Sequence, residues 1–409
     1  MTCARLLLFS RPGVIAGSFE EATIQGMRER PTVAIVGAGI IGLSVGFRLA
    51  KAGCRVDIFE RAEAGRSATY AAAGMLAAGV EAEPGEQVLL PLCLASQALW
   101  PEFARELEAD SGQSVDLRND GTLVVALNRD DVETLRHKYE FQRNLGIPLE
   151  WLSGAAAKER EPHLHPRTAA AVYSAKDGQV DNRKVAAALK IAFAQAGGRL
   201  HEQSSISHID VDAGRVRGVV VSDKPVAADV VVLAAGAWSR QMQGLPANVL
   251  PPVRPVKGQM VSVRMNPDDP LVRHVIWAPK SYLVPRRDGR LILGATTEEK
   301  GFDSNLTAGG VMALIEAAWR AFPGIEELPI DEMWTGFRPG SRDDAPILGP
   351  VSGVEGLVLA TGHHRNGILL APITANALAE FILTGKTDAR IARFGLDRFA
   401  QSSPSPEAA

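Results

Sequence analysis

Gly37-Ala38-Gly39-Ile40-Ile41-Gly42 is a Gly-x-Gly-x-x-Gly turn that decides the fold of this chain. An apolar run at residues 33–36 precedes it, and a helical pattern follows from about residue 40 to residue 52. Residues 55–59 form a second apolar strand pattern, and Glu60 comes directly after it. A glycine-rich turn between a strand and a helix, with an acidic residue at the end of the next strand, is typical of a dinucleotide-binding βαβ unit.

Each glycine of this turn has a physical role in the predicted site. Gly37 permits the tight turn, Gly39 lets the backbone approach a pyrophosphate, and Gly42 lets the helix pack closely on the strand. The free N–H groups at the helix start attract phosphates, and Glu60 is placed to accept hydrogen bonds from a ribose. The alternative is a glycine-rich turn in an unrelated α/β fold. The motif does not separate NAD from FAD, but the small-residue stretch 65–75 suits contact with a bulky cofactor better than it suits a flexible linker.

The order of the elements predicts an α/β fold, with a Rossmann-type domain built from discontinuous segments and an inserted antiparallel-sheet domain. Buried-strand patterns return at residues 230–233 and 357–360, whereas residues 261–296 contain alternating strands and the hairpin signal Asp288-Gly289. The expected division is a disordered lead at 1–30, dinucleotide-binding segments at 31–84, 171–244 and 331–395, a helical segment with the start of the substrate domain at 85–170, the antiparallel substrate domain at 245–330, and a tail at 396–409.

The composition and charge narrow the class of protein. The net charge of −3 at pH 7 gives no basis for binding nucleic acid or an anionic membrane. No run of 18 apolar residues predicts a transmembrane helix, and three cysteines without paired spacing predict free thiols in the cytoplasm. Met27 is a candidate for the true start of the chain. His363-His364 has no further ligand at metal-binding spacing nearby, so we expect no metal.

Several stretches together resemble a known family. They are the βαβ unit, Ala-Ala-Ala-Gly-Met at 71–75, Leu-Ala-Ala-Gly-Ala-Trp-Ser at 233–239, Trp-Thr-Gly-Phe-Arg-Pro-Gly-Ser-Arg-Asp at 334–343, and Gly-His-His-Arg-Asn-Gly-Ile-Leu-Leu-Ala-Pro at 362–372. They resemble the D-amino-acid oxidase superfamily and, within it, the glycine oxidases of bacterial thiamine biosynthesis. The resemblance covers roughly residues 31–385. It implies non-covalent FAD, a small amino-acid substrate, O2 as the electron acceptor and a homotetramer.

The resemblance also implies roles for individual residues. Arg338 and Arg365 would bind the substrate, and Tyr282 would help to hold its carboxylate. Lys280 departs from the family, because some relatives have histidine there. The implied flavin contacts are Gly37, Gly39, Ile40, Ile41, Gly42, Glu60, Arg61, Ala68, Thr69, Ala73, Gly74, Met75, Ile206, Gly236, His363, His364, Arg365, Asn366, Gly367, Ile368 and Leu369.

The chemistry of an amino-acid oxidase suits these residue types. The planar guanidinium of arginine forms two parallel, charge-assisted hydrogen bonds to a carboxylate, and the flavin itself carries the difficult hydride step. The helix that begins near Ile368 would direct its positive end at the flavin. Two structural alternatives stay open at this point: Arg338 in a salt bridge with Asp343 or Asp344, and Tyr282 as a core tyrosine.

Alternative functions also stay open at this point. They are an amine dehydrogenase that uses a quinone acceptor, a flavin module that acts on modified tRNA, and, more weakly, a nicotinamide-dependent dehydrogenase. Within the oxidase hypothesis the sequence does not choose among glycine, sarcosine and small D-amino acids.

Overall fold

The structure is a computed structural model that describes residues 30–402. The expected disordered lead, the candidate start at Met27 and the last seven residues lie outside the described residues. Part of the expected tail is ordered, because Leu396–Ser402 is a 3₁₀ helix. Leu396 is buried in an apolar cluster and Arg398 pairs with Asp343.

The described helices and strands follow the chain in a regular alternation at first and then in a run of strands. The helices are α1 (Ile40–Lys51), α2 (Ala68–Ala71), α3 (Leu90–Ser111), α4 (Arg129–Asn144), α5 (Gly154–Arg160), α6 (Asn182–Gln195), α7 (Ala308–Ala321) and α8 (Gly367–Thr384). The strands are β1 (Thr32–Val36), β2 (Arg55–Phe59), β3 (Met75–Leu76), β4 (Thr122–Ala126), β5 (Glu150–Ser153), β6 (Ala170–Ser174), β7 (Gly178–Gln179), β8 (Arg199–His201), β9 (Ile206–Asp212), β10 (Arg215–Val221), β11 (Lys224–Ala227), β12 (Val230–Leu233), β13 (Arg254–Arg264), β14 (Val275–Ala278), β15 (Ser281–Pro285), β16 (Arg290–Gly294), β17 (Ile330–Gly340), β18 (Ile347–Val351) and β19 (Val354–Thr361).

The first sheet confirms the Rossmann-type prediction. Its strand order is β11-β10-β19-β12-β1-β2-β8, with β18 also paired to β19 and β9 also paired to β10. Strand β1 runs parallel to both β2 and β12, and β12 runs parallel to β19. The central strands therefore come from early, middle and late parts of the chain, as the returning buried-strand patterns indicate.

The second sheet is wider than the expected inserted domain. Its order is β17-β13-β16-β15-β14-β4-β6-β5, so strands from residues 122–174 extend the hairpins of residues 254–294. The expected boundaries at 170/171 and 330/331 cut through β6 and β17, both of which are hydrogen-bonded into this sheet. Pairing between segments so distant in sequence leaves no local pattern that would reveal it.

The main apolar core lies under the first sheet. Helix α8 packs there against α1 and α3, and its residues Leu370, Ile373 and Leu378 are fully buried. Each such side chain stabilises the fold by about 1.5–3 kcal/mol. Among the described helices, residues His364–Thr384 have the length and hydropathy of a membrane span, but 61% of that stretch is buried inside the fold. The apolar composition of α8 is therefore that of a core helix.

Candidate active site

A cavity of about 740 Å³ lies between the two sheets. Most of the residues implied by the resemblance lie on its wall: Gly37, Gly39, Ile40, Ile41, Glu60, Arg61, Ala68, Thr69, Ala73, Gly74, Met75, Ile206, Gly236, Tyr282, Arg338, His363, His364, Arg365, Gly367 and Ile368. Gly42, Asn366 and Leu369 do not lie on this wall. Lys280 does, at the turn between β14 and β15, with a left-handed φ of 68°.

The dinucleotide end of the cavity is shaped by close backbone contacts. Gly37 has a φ of 101°, and a Cβ atom on it would lie 2.6 Å from the carbonyl oxygen of Ala234. A Cβ atom on Gly42 would lie 2.0 Å from the carbonyl oxygen of Gly37. Gly42 is therefore away from the cavity but sets the distance between helix α1 and the turn, which is its predicted role.

The start of helix α1 is open toward this end. Its N-cap residue, Gly39, offers no side-chain cap, and its first turn contains no acidic residue. The Ile40 N–H donates to Thr69 Oγ1 at 2.9 Å, and the Ala38 N–H donates to Glu60 Oε2 at 2.9 Å. Each Glu60 oxygen has a second lone pair that can accept a ribose hydroxyl. The glycine turn, the start of helix α1 and Glu60 thus fit the nucleotide half of FAD.

The substrate arginine suggested by the resemblance has no acidic partner. Within residues 30–402, no ion pair joins Arg338 to a carboxylate; its Nη1 donates instead to the Thr296 carbonyl at 3.2 Å. The salt-bridge alternative for Arg338 is wrong, because Asp343 pairs with Arg398 and Asp344 lies 3.8 Å from Arg254. A partly buried arginine without a counter-ion favours an anionic ligand.

Tyr282 lies beside Arg338 at the same end of the cavity. Its hydroxyl is 3.5 Å from Met260 Sδ, and its ring centroid is 5.3 Å from that of Trp277. Burial raises the pKa of Tyr282, and the nearby Arg338 opposes the rise. The phenol is therefore neutral at physiological pH and can donate a hydrogen bond.

Arg365 differs from Arg338 because its charge is already balanced. It contacts Glu81 at 3.3 Å and Glu86 at 2.5 Å, and its side chain is 26% exposed. Burial raises the pKa of the Glu81 carboxyl to about 7, although the neighbouring Arg365 lowers it. The guanidinium of Arg365, which is predicted to bind the substrate, is therefore already paired with the carboxylates of Glu81 and Glu86.

The chain matches the family of FAD-dependent oxidoreductases over residues 32–381. It is a member of that family. It is 39% identical to the glycine oxidase of Geobacillus kaustophilus (strain HTA426) over 91% of this chain and 98% of that one. It is 35% identical to the glycine oxidase of Pseudomonas aeruginosa, over 87% of this chain and 95% of the relative.

Solved structures of this oxidoreductase family agree. The crystal structure of glycine oxidase from Geobacillus kaustophilus superposes with a TM-score of 0.83, covering 90% of this chain and 99% of that one at 39% identity. The structure of iminodiacetate oxidase from Chelativorans sp. BNC1 gives a TM-score of 0.80 at 26% identity, covering 89% and 98% of the two chains. FAD is the cofactor of this oxidoreductase.

The turn before α8 lies on the wall of the FAD cavity and joins the two sheets. It follows β19 of the first sheet, and His363 forms a β-bridge with Gly340 at the end of β17 in the second. His363 is buried, its Nε2 lies 3.1 Å from Thr374 Oγ1, and burial lowers its pKa to about 3. Burial and the neighbouring arginines lower the pKa of His364 to about 4. Both imidazoles are therefore neutral near pH 7. Among the described residues no group of three His, Cys, Asp or Glu side chains is arranged to hold a metal ion.

The helix that follows this turn presents only part of its first turn to the cavity. Gly367 and Ile368 lie on the wall. Leu369 belongs to the apolar core, and its carbonyl accepts hydrogen bonds from Ser96 Oγ at 2.6 Å and Trp100 Nε1 at 3.0 Å. Leu369 therefore packs against α3, and its expected flavin contact stays a prediction. Asn366 lines a small crevice beside Arg365 instead.

Several aromatic residues at the cavity are not among the predicted site residues. Trp238 and Phe337 line the cavity, Phe302 stacks on Trp238 with ring centroids 4.9 Å apart, and Arg61 lies 3.8 Å above the Trp238 ring. Glu81 was also missed. Trp238 and Phe337 stand inside motifs that carry the family resemblance, which is a usable signal, whereas no local pattern marks Glu81.

Proposed function

We propose that this oxidoreductase oxidises the amine of glycine, and also that of sarcosine or small D-amino acids, to the imine while O2 is reduced to H2O2. The observation that carries the proposal is Arg338, an arginine on the cavity wall without a carboxylate partner among the described residues. The glycine oxidase names of the most similar relatives support the choice of substrate.

Arg338 and Tyr282 account for binding of the substrate carboxylate. The guanidinium offers two parallel donors to a carboxylate, and the neutral phenol offers a third. Because none of the partners of Arg338 among the described residues is acidic, the substrate does not have to displace a charged side chain. A substrate held at its carboxylate can turn only about that anchor, which limits the positions of its Cα–H bond.

The wall beside Tyr282 is apolar, which is compatible with a small substrate. Met260, Trp277 and Ala295 lie next to Tyr282 and form an apolar cluster on the cavity wall, which offers a substrate side chain no polar partner. Bound FAD supplies the acceptor for the hydride that leaves the substrate Cα. The first turn of α8 reaches the wall at Gly367, and its positive end favours negative charge on that side of the cavity.

The proposal extends to the setting of the reaction. Relatives named bifunctional protein ThiO/ThiG include one from Trichormus variabilis, which is 36% identical over 91% of this chain and 56% of its own length. In line with the two functions that this name joins, the imine would supply thiazole synthesis for thiamine. We further propose a cytoplasmic homotetramer that binds neither nucleic acid nor membrane.

H2O2 release in air from glycine, sarcosine, D-alanine and D-proline tests the proposal. Glycine or sarcosine should be the best substrate. Arg338→Ala should raise the KM for glycine about 100-fold, because it removes about 3 kcal/mol of charge-assisted hydrogen bonding, and should leave the flavin bound. Arg342→Ala, which removes an arginine that contacts the Phe399 ring, is the matched control. A yellow protein that no amine turns over in air, or an unchanged KM in Arg338→Ala, would contradict the proposal.

A further inference from the structure

The guanidinium of Arg338 lies beside the Tyr282 phenol and is oriented by a neutral backbone oxygen and by the close approach that Gly258 permits. The oxygen is the Thr296 carbonyl, 3.2 Å from Nη1. A Cβ atom on Gly258 would lie 2.7 Å from Nη1, so the guanidinium lies directly against the backbone of β13. A carbonyl orients a guanidinium but carries no net charge. It therefore competes with an incoming carboxylate far less than an aspartate would.

The Thr296 carbonyl can orient Arg338 only if its own peptide is fixed, and the side chain of Thr296 fixes it. Thr296 Oγ1 accepts from the Gln259 N–H at 2.8 Å and donates to Glu298 Oε1 at 2.6 Å. The Thr296 N–H donates in turn to the Gln259 carbonyl at 3.3 Å. Thr296, whose carbonyl faces Arg338, is thus tied on its N–H and its hydroxyl to β13, the same strand against which the guanidinium lies.

Glu298 holds the Thr296 hydroxyl in this arrangement and is itself anchored. Its Oε1 accepts from Gln259 Nε2 at 2.7 Å, and its Oε2 lies 4.0 Å from the ammonium of the fully buried Lys257. Burial opposes ionisation of Glu298, but the hydrogen bonds of Thr296 and Gln259 and the charges of Lys257 and Lys300 together hold its pKa below its ordinary value. Glu298 is therefore a charged acceptor throughout the neutral pH range.

We propose that Thr296 and Glu298 are positioning residues for Arg338, which keep its guanidinium aimed at the substrate carboxylate without giving it a charged partner. They act through the Thr296 carbonyl. The proposal rests on the proposed function of Arg338 as the carboxylate-binding residue.

Two pairs of variants of the FAD-loaded enzyme test this inference. Thr296→Val removes the hydroxyl at nearly constant volume, and Thr296→Ser restores it. Glu298→Ala removes the acceptor of that hydroxyl, and Glu298→Gln restores an amide oxygen in its place. The readouts are KM and kcat for glycine and the dissociation constant of acetate, a carboxylate that cannot be oxidised, followed by the change it causes in the flavin absorption spectrum.

Thr296→Val and Glu298→Ala should each raise the acetate dissociation constant and the glycine KM about tenfold, the worth of one well-placed hydrogen bond. Their kcat should stay within about twofold, and Thr296→Ser and Glu298→Gln should return both constants close to the wild-type values. Thr335→Val, which removes a hydroxyl bound to the Ser304 carbonyl, and Glu299→Gln, which removes a surface partner of Arg254, are the matched controls.

Unchanged acetate binding in flavin-loaded Thr296→Val or Glu298→Ala overturns the inference, as does a fall in kcat at constant KM. The same holds if the serine and glutamine variants fail to restore binding. If Thr296→Val does not fold with its flavin, the Glu298 pair decides the question alone. Acetate binding does not depend on turnover. A wild-type enzyme that binds acetate but leaves glycine unoxidised would therefore refute the proposed function and not this inference.

Discussion

The two ends of the cavity are built in different ways. At the dinucleotide end, the turn Gly37–Gly42 and Glu60 belong to one continuous βαβ unit, and the critical contacts are made by backbone atoms. At the opposite end, Arg338, Tyr282 and Gly258 come from three strands of the second sheet, and the groups offered to a ligand belong to the side chains of Arg338 and Tyr282. Damage at the first end should therefore cost cofactor and fold together, whereas damage at the second should cost substrate binding with the cofactor retained.

Gly42→Ala should have the largest effect of the changes considered. The added Cβ would lie 2.0 Å from the Gly37 carbonyl oxygen, and neither backbone segment can move without opening the βαβ unit. We expect a loss of about 3 kcal/mol or more in the free energy of unfolding, together with loss of bound flavin. The absorbance ratio of flavin to protein and a thermal melt measure both.

Gly309→Ala is the control for this change, because a Cβ on Gly309 would meet nothing within 4 Å and alanine favours a helix. A yellow Gly42→Ala protein of wild-type stability would show that the turn tolerates a wider separation from α1. In that case a change at the dinucleotide end would not cost cofactor and fold together, as we expect it to.

The same contrast explains which parts of the molecule could be predicted from sequence. The βαβ unit is visible because strand, turn, helix and strand follow one another within residues 32–59, each with its own local pattern. The sequence of the second sheet shows its hairpins but not the pairing of β17 with β13 or of β4 with β14, because these partners are far apart along the chain. The family resemblance, rather than any pattern of residues, placed Arg338 and Tyr282 together.

Arg365 illustrates what remained beyond prediction. A resemblance can name an arginine, but whether its charge is free depends on which acidic residues fold against it. Here Glu81 and Glu86 lie against Arg365 although they are some 280 positions away. Asp343 and Asp344, which stand close to Arg338 in sequence, pair elsewhere. Neighbouring residues in the sequence therefore indicate the wrong partners for Arg338 and no partner for Arg365.

Gly258→Ala should be the next largest change and should act only at the substrate end. Its Cβ would lie 2.7 Å from Arg338 Nη1 and 3.0 Å from Nη2, so the guanidinium must move away from β13. We expect the KM for glycine to rise between about tenfold and 100-fold, equivalent to about 1.4–2.7 kcal/mol, while flavin content stays at the wild-type level. Steady-state kinetics with glycine and the flavin absorbance measure the two effects. An equal loss of flavin and of substrate binding would mean that the two ends are not independent.

Arg365→Met should show that Arg365 and Arg338 have different roles at the substrate end. The change leaves Glu81 and Glu86 without their shared cation, and we expect a loss of about 2 kcal/mol in the free energy of unfolding, less than for a fully buried pair because Arg365 is 26% exposed. The KM for glycine should rise less than about fivefold, since the guanidinium is already occupied. Thermal melts and glycine kinetics measure these effects. A KM increase as large as that of Arg338→Ala would show that Arg365 binds the substrate directly despite its two carboxylates.

Glu81 gives the smallest predicted effect, a pH dependence of stability. Burial raises the pKa of its carboxyl from 4.5 to about 7, with Arg365 opposing the rise. Between these two values the folded protein keeps a proton that the unfolded chain has lost, so the free energy of unfolding falls as the pH rises, and it stops falling above about pH 7. Relative to Glu81→Gln, which cannot titrate, the wild-type protein should lose about 1–2 kcal/mol between pH 5.5 and pH 7.

Thermal melts of both proteins across this pH range measure the difference, in which every other titrating group cancels to first order. His363 and His364 act with the opposite sign, because burial holds their folded-state pKa values at about 3 and about 4. Below about pH 6.5 the unfolded chain takes up protons on these rings, so their contribution to the free energy of unfolding rises with pH. Glu86→Gln removes the other acidic partner of Arg365 and should keep the wild-type pH dependence. Parallel curves for the wild type and Glu81→Gln would mean that Arg365 keeps the Glu81 carboxylate charged. The wall beside Arg338 would then carry a fixed negative charge, and the substrate's ammonium group would have a counter-ion there at every pH of the window.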